Sequence, residues 1–311
     1  MKTLGVLPVM VLAWPLTAEV KVLKADGRVD VEVDGKPYTS LYFGPETTKP
    51  YLHPLRAADG KVVSRHYPMA KKEGEETDHV HQRGLWYSHG DVNGVDFWAN
   101  DPSQQNPKKG KIVFKQLGKL TGGRAGSVAA TFEWVDASNK PMLRDDRTYT
   151  FHASPNLRMI DVDIHLTGIE KAHFGDTKEG TFAIRLATEM NGRHGGSMRN
   201  AEGAVGEKAV WGKRSPWVDY CGKVEGETLG VAIFDHPSNP KHPTYWHSRD
   251  YGLFATNVFG EHDFHNDKSR DGSMVLEPGK SWRFRYRVVI HSGDADSSRI
   301  PELYKQFAAL R

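Results

Sequence analysis

The chain has 311 residues and carries 42 Lys and Arg against 39 Asp and Glu, a formal net charge of only +3. Both signs are interspersed and no basic stripe forms, which argues against a nucleic-acid partner. The single cysteine, Cys221, rules out an intramolecular disulfide, so stability must come from a packed core, and this thiol reads as a small buried residue rather than a nucleophile.

At the start, Lys2 precedes a charge-free apolar run from Leu4 to Leu16, and the small pair Thr17-Ala18 stands just before Glu19. The run is shorter than the roughly 20 residues a membrane span needs, so residues 1–18 read as a cleaved secretory signal. The expected product is a periplasmic or secreted protein, residues 19–311, forming one domain with no later membrane span. Val29, Val31 and Val33 alternate with polar residues, the period of a half-buried strand, and Asp26-Gly27 and Asp34-Gly35 are turn dipeptides beside such runs. Further strands are expected at 111–117, 127–135, 146–151, 159–166, 181–187, 228–234, 253–258 and 282–291. The only helical pattern is the last, Pro301 to Leu310, with Pro301 in the first turn and Leu303, Phe307 and Leu310 on one stripe. Many strands and one short helix predict an all-β fold, a large antiparallel β-sandwich with a C-terminal helical cap.

Histidine carries the functional signal. Fifteen are present, and His79, His81 and His89 fall in the run from Asp78 to Trp98. If 79–83 is extended, His79, His81 and Arg83 share a face. Two imidazoles at that spacing suit a sugar or anion site, and they also suit copper or zinc. Asn93-Gly94 predicts a tight turn that returns the chain toward Asp96 and Trp98. Dense polar side chains are costly to bury without partners, which favours a site over a structural role for His79 and His81. Asp96 fits a ligand-facing carboxylate or a turn brace, and His89 fits either a site residue or a partner for a neighbouring backbone group. The second cluster contains His236 and the segment Tyr245 to Arg249. Read as extended, it places Tyr245, His247 and Arg249 on one face. Glu179 stands at the mouth of a strand that also holds Arg185, Asp219 lies between aromatics, and His53 precedes Pro54. Carboxylates beside imidazoles can tune each other for acid–base work.

The run from Asp78 to Trp98, with Tyr51-Leu52-His53-Pro54-Leu55 before it and Phe234-Asp235-His236-Pro237 after it, resembles a bacterial family labelled methane oxygenase PmoA, also catalogued as a domain of unknown function. The resemblance spans nearly all of the mature chain and implies exported proteins of bacteria rich in polysaccharide-degrading genes. The oxygenase label suits this chain poorly, because the membrane-bound subunit of that name resembles a bundle of membrane helices. The architecture implied is the galactose mutarotase-like supersandwich of aldose epimerases and several polysaccharide lyases, in which a concave sheet presents His and carboxylate residues to a sugar. One departure is Gln82, which stands where a third histidine is expected and puts a metal site in doubt.

The resulting expectation is a carbohydrate-active enzyme of lyase, hydrolase or epimerase type. His79, His81 and His247 serve as acid, base and orienter, with Glu179 and Asp219 as alternative acid or base groups. Arg83, Arg185 and Arg249 hold carboxylates or polarised oxygens, and His53, His89, Asp96, Trp98 and His236 complete the ligand site. No cofactor is assigned; the second reading is a metal-dependent enzyme, oxidative chemistry included, with a divalent metal on His79, His81 and a further His. A non-catalytic sugar-binding protein is the third reading.

Overall fold

The computed structural model describes residues 18–311, so the expected signal segment, apart from Ala18, lies outside the described residues. Two eight-stranded antiparallel sheets face each other. The first runs in the order β1 (Val20–Ala25), β2 (Arg28–Val33), β3 (Lys36–Tyr42), β4 (Tyr51–His53), β5 (Leu85–His89), β11 (Gly180–Arg185), β16 (Leu253–Asn257) and β15 (Tyr245–Trp246). The second runs β12 (Ser197–Asn200), β13 (Trp217–Val224), β14 (Glu227–Asp235), β18 (Ser281–Ser292), β9 (Leu157–Gly168), β8 (Pro141–Ser154), β7 (Ala125–Val135) and β6 (Lys111–Thr121). A two-stranded ribbon pairs β10 (Ala172–Phe174) with β17 (Met274–Leu276). The all-β expectation holds, and the final helix covers Ile300–Ala308. Among the described residues no helix is long and apolar enough to cross a membrane.

The period of two decides which side chains meet. Leu85 and Tyr87 of β5, Phe182 and Ile184 of β11 and Phe254 of β16 point inward, where they join Phe284, Tyr286, Val288 and Ile290 of β18 in one continuous core. Trp86, Ala183, Leu253 and Ala255 point outward and form a separate cluster with Tyr51 and Trp98. Every residue of β5, β11 and β16 is buried, because loops cover this outer face as well. On the second sheet the helix plays the same part: Ile300 and Phe307 cover Trp217, Ala232, Phe234 and Val289.

The sheets are also joined at one side. Val20 of β1 and Gly123, in the turn between β6 and β7, exchange backbone hydrogen bonds of 2.7 and 2.9 Å. The first sheet is thereby stitched to the hairpin at the margin of the second.

Candidate functional site

The middle of the first sheet's outer face has a floor of small residues, Ala183, Ala255 and Ser88, flanked by Trp86 and Trp98, whose ring centroids are 5.0 Å apart. The segment carrying His79 and His81 lies over this face. Its conformation differs from the extended reading. His79 has φ +42°, and the Gln82 amide donates to His79 O at 2.9 Å, so the chain turns here. The two imidazoles still meet, edge to face, with centroids 5.8 Å apart.

Two buried arginines hold that turn in place. Arg65 donates to the Asp78 carboxylate at 2.6 Å, to Asp78 O at 2.8 Å and to His79 O at 3.0 Å. Arg185, from β11, donates to the same carboxylate oxygen at 2.6 Å, to Gln82 Oε1 at 2.6 Å and to Glu76 at 3.1 Å. Fixed charges meeting carboxylate and carbonyl oxygens make these strong hydrogen bonds. Burial pushes the Asp78 carboxyl upward, but Arg185, His79 and Arg65 overcome it and hold the group below its ordinary value. Asp78 therefore remains a carboxylate, and its other oxygen lies 2.7 Å from His79 Nδ1. This contact leaves His79 Nε2 for a ligand. The His79 ring stacks on Tyr251 at 5.0 Å, and the guanidinium of Arg185 lies 4.6 Å from the centre of the same phenol ring.

His81 is 8% exposed and its Nδ1 has no partner in the protein. Burial pulls its pKa down to about 3, helped by the charges of Lys49, His79 and Lys109. It is a neutral hydrogen-bonding group at ordinary pH. Lys49, which has no distinguishing pattern in the sequence, is 1% exposed and donates to Trp98 O at 2.8 Å and to Asn100 Oδ1. Burial lowers its ammonium to about 7. His53 stands on the same face from β4, with its Nδ1 also unpartnered and its pKa drawn down to about 3, mainly by burial. The indole N–H groups of Trp86 and Trp98 and the hydroxyl of Ser88 likewise lack protein partners. So many unpartnered polar atoms on one face is unusual for a purely structural surface.

Beyond Tyr251 lies the second expected group. His247 is 2% exposed, and its Nδ1 is 2.8 Å from Lys178 O. Burial lowers its pKa, while the nearby charge of Glu179 opposes that shift. Glu179 also acts on Tyr251, whose hydroxyl is raised chiefly by burial. Behind His247, Trp211 packs edge-on at 6.3 Å and lines an open depression of about 500 Å³ with Glu207, Lys208, Arg249 and Asp250. Arg249 pairs with Glu207 at 2.8 Å. The Asp250 carboxyl is raised, first by burial and then by Glu207.

His53, His79, His81, Arg185, Glu179, His247 and Arg249 are thus gathered on or beside one sheet face. Three expected residues are elsewhere. His89 points between the sheets, packs on Phe259 at 4.3 Å and is bound to Gly175 O at 2.9 Å through Nε2. Asp219 lies on the outer face of the second sheet, bonded to His291. His236 sits against the C-terminal helix and contacts Leu310 O through Nε2. Each is the wrong side of a strand or the wrong sheet for the histidine face, a choice made by strand register rather than composition. Arg83 and Asp96 are at the site's edge in bracing roles: Arg83 bonds Asp101, and Asp96 accepts from the Trp98 and Ala99 amides and pairs with Lys109. Trp98 belongs to the floor. Sequence reasoning missed Lys49, Tyr251, Trp211 and the pair Glu76 and Asp78. Among the described residues, the histidine face holds no group of three metal-ligating side chains within coordination reach. A groove of about 710 Å³ lies away from this chemistry. It is lined by Phe43, Ile112, Phe114 and Leu117, with no imidazole.

Several solved structures are similar to this chain at low identity. A galactose mutarotase-like protein from Clostridium acetobutylicum is 10% identical, covering 88% of this chain and 98% of that one, with a TM-score of 0.41. A galactose mutarotase related enzyme from Lactobacillus acidophilus is 9% identical over 88% of this chain and 97% of that one, TM-score 0.36. A GH36 alpha-galactosidase from Geobacillus stearothermophilus is 12% identical over 88% of this chain but only 40% of that one, TM-score 0.39. No curated protein matches the chain. The family whose sequence pattern matches, over residues 28–305, does not carry the expected methane-oxygenase label; it is described as a family of unknown function, DUF6807, and this chain belongs to it.

Proposed function

We propose that the protein is an exported carbohydrate-active enzyme, working by acid–base chemistry on the outer face of the first sheet. The observation that carries this reading is the oriented pair Asp78–His79. The carboxylate fixes one imidazole nitrogen at 2.7 Å, and the other remains for a substrate proton above the Tyr251 ring. His81, neutral in its buried position, supplies a hydrogen bond to a sugar hydroxyl. Glu179 and His247 form the second acid–base pair across Tyr251. Trp211, with Arg249, Glu207 and Asp250 around it, offers an aromatic face and polar rim of the kind sugars bind.

The test is to incubate the protein with oligosaccharides and oxidised (keto) glycosides and seek new products by mass spectrometry. His79→Ala and His81→Ala should each lower turnover by about 10²-fold or more while the fold is retained, the range expected for a lost general base or positioned hydrogen bond. Full activity in both variants overturns the assignment. The depressed basicity of His81 also suits a pure hydrogen-bonding role. Glycan binding that depends on Trp211 and yields no product would therefore favour a sugar-binding protein.

A further inference from the structure

On the outer face of the second sheet, outside the histidine face, three side chains of different chemistry converge. Asp219 and Cys221 project from β13 and His291 from the adjoining part of β18, reached across β14 at Gly230. Asp219 Oδ1 is 2.9 Å from His291 Nε2, and Cys221 Sγ donates to Asp219 Oδ2 at 3.0 Å. One ligand atom from each lies within 4.8 Å of the other two. A tetrahedral zinc with sulfur, nitrogen and oxygen ligands needs such atoms about 3.3–3.8 Å apart, so only small rotations are required. Gly230 makes the room: a Cβ there would stand 2.2 Å from His291 Cε1 and 2.9 Å from Cys221 Sγ.

The charge balance points the same way. The side chains of Asp219 and His291 are 1% and 0% exposed. Among the described residues no Lys or Arg pairs with Asp219, and its partners are an imidazole and a thiol. A buried carboxylate with so little compensation is expensive unless a cation joins it. Cys221 is only partly buried, which leaves a route for an ion and a water as fourth ligand.

We propose that Asp219, Cys221 and His291 form a binding site for a thiophilic divalent cation, of which zinc is the best match to a mixed sulfur, nitrogen and oxygen set. On binding, the thiol proton is released to solvent and the imidazole proton shifts from Nε2 to Nδ1, which lies 3.3 Å from Ser292 O; the thiolate, the carboxylate and the freed Nε2 of the neutral imidazole then bind the cation, and water fills the open position. The metal's charge replaces the hydrogen bonds that hold the three groups together without it.

Cobalt(II) is the probe, because Cys221 is the chain's only cysteine and any thiolate-to-cobalt charge-transfer band must come from it. The full chain, purified without a polyhistidine tag and stripped with chelator under reducing conditions, is titrated with cobalt chloride. The expected result is a near-ultraviolet charge-transfer band saturating at one equivalent and bleached by zinc. Asp219→Asn and His291→Gln, both able to keep hydrogen bonds, should weaken cobalt binding by about tenfold or more. Absence of the band in the unaltered chain overturns the proposal. So does unchanged affinity in both variants, which would mean capture by the thiol alone.

Discussion

At the scale of single residues, the histidine face depends on two buried guanidiniums, those of Arg65 and Arg185. Arg185 reaches Gln82, Asp78 and Glu76 at once, and Arg65 takes the carbonyls of the same turn. Removing one partner of a buried ionic network leaves the others uncompensated, so Arg185→Ala should cost about 3–5 kcal/mol in urea unfolding. Arg185→Lys should recover little of it, because one ammonium cannot span three acceptors held in a planar fork. A loss below about 1 kcal/mol would show that the turn is held by other means. These roles explain what could be read from the sequence. His79, His81, Glu179, His247 and Arg185 are legible as polar residues too dense to be incidental. Lys49, Tyr251 and Trp211 are not, since a lone Lys before Pro50 or an aromatic in a loop has no pattern until the chain folds around it. Asp219, His89 and His236 looked equally suitable, but proximity in sequence to a polar cluster does not tell which face of a strand a side chain occupies.

Among the elements, the strands were easiest to foresee. Their alternation placed most of them, and the structure extends several, as in β8, which runs from Pro141 to Ser154 against an expected 146–151. The segment 79–83 was the exception. A His-x-His-x-Arg alternation has the period of a strand, yet buried arginine partners and a positive φ at His79 fold it into a turn. The C-terminal helix was legible from Pro301 and its apolar stripe, and its purpose is plain from packing. Phe307 is 2% exposed, meets Phe234 at 6.1 Å and has Arg287 over its ring at 4.9 Å. Phe307→Ala should therefore destabilise the protein by about 3–5 kcal/mol, as for other fully buried aromatics. Thermal and denaturant melts measure it. A change within about 0.5 kcal/mol, the size of a surface substitution, would mean that the helix does not cap the second sheet in solution.

For the molecule as a whole, buried imidazoles link stability to acidity. Burial lowers His53 and His81 to about 3 and His89 to about 4, from 6.5. The fold holds all three neutral, whereas the unfolded chain takes up protons below 6.5. Their contribution is complete above that pH and is lost as acidity rises toward the folded values. At about pH 5 each histidine costs about 2 kcal/mol, and three together approach the whole stability of a typical domain. The melting temperature should drop steeply between pH 6.5 and 4, and His89→Gln, which keeps a donor for Gly175 O, should flatten the slope. A melting temperature constant over that interval would contradict the burial of these rings.

The stitch between Val20 and Gly123 bears on how copies of this protein behave beside one another. A terminal strand normally offers a row of free amides and carbonyls to any neighbour able to extend the sheet. Here the start of β1 has spent that pairing within its own chain, and the exposed Lys21 and Lys24 would set like charges against an approaching copy. At Val20, where β1 begins, that margin is thereby closed to a strand from another copy.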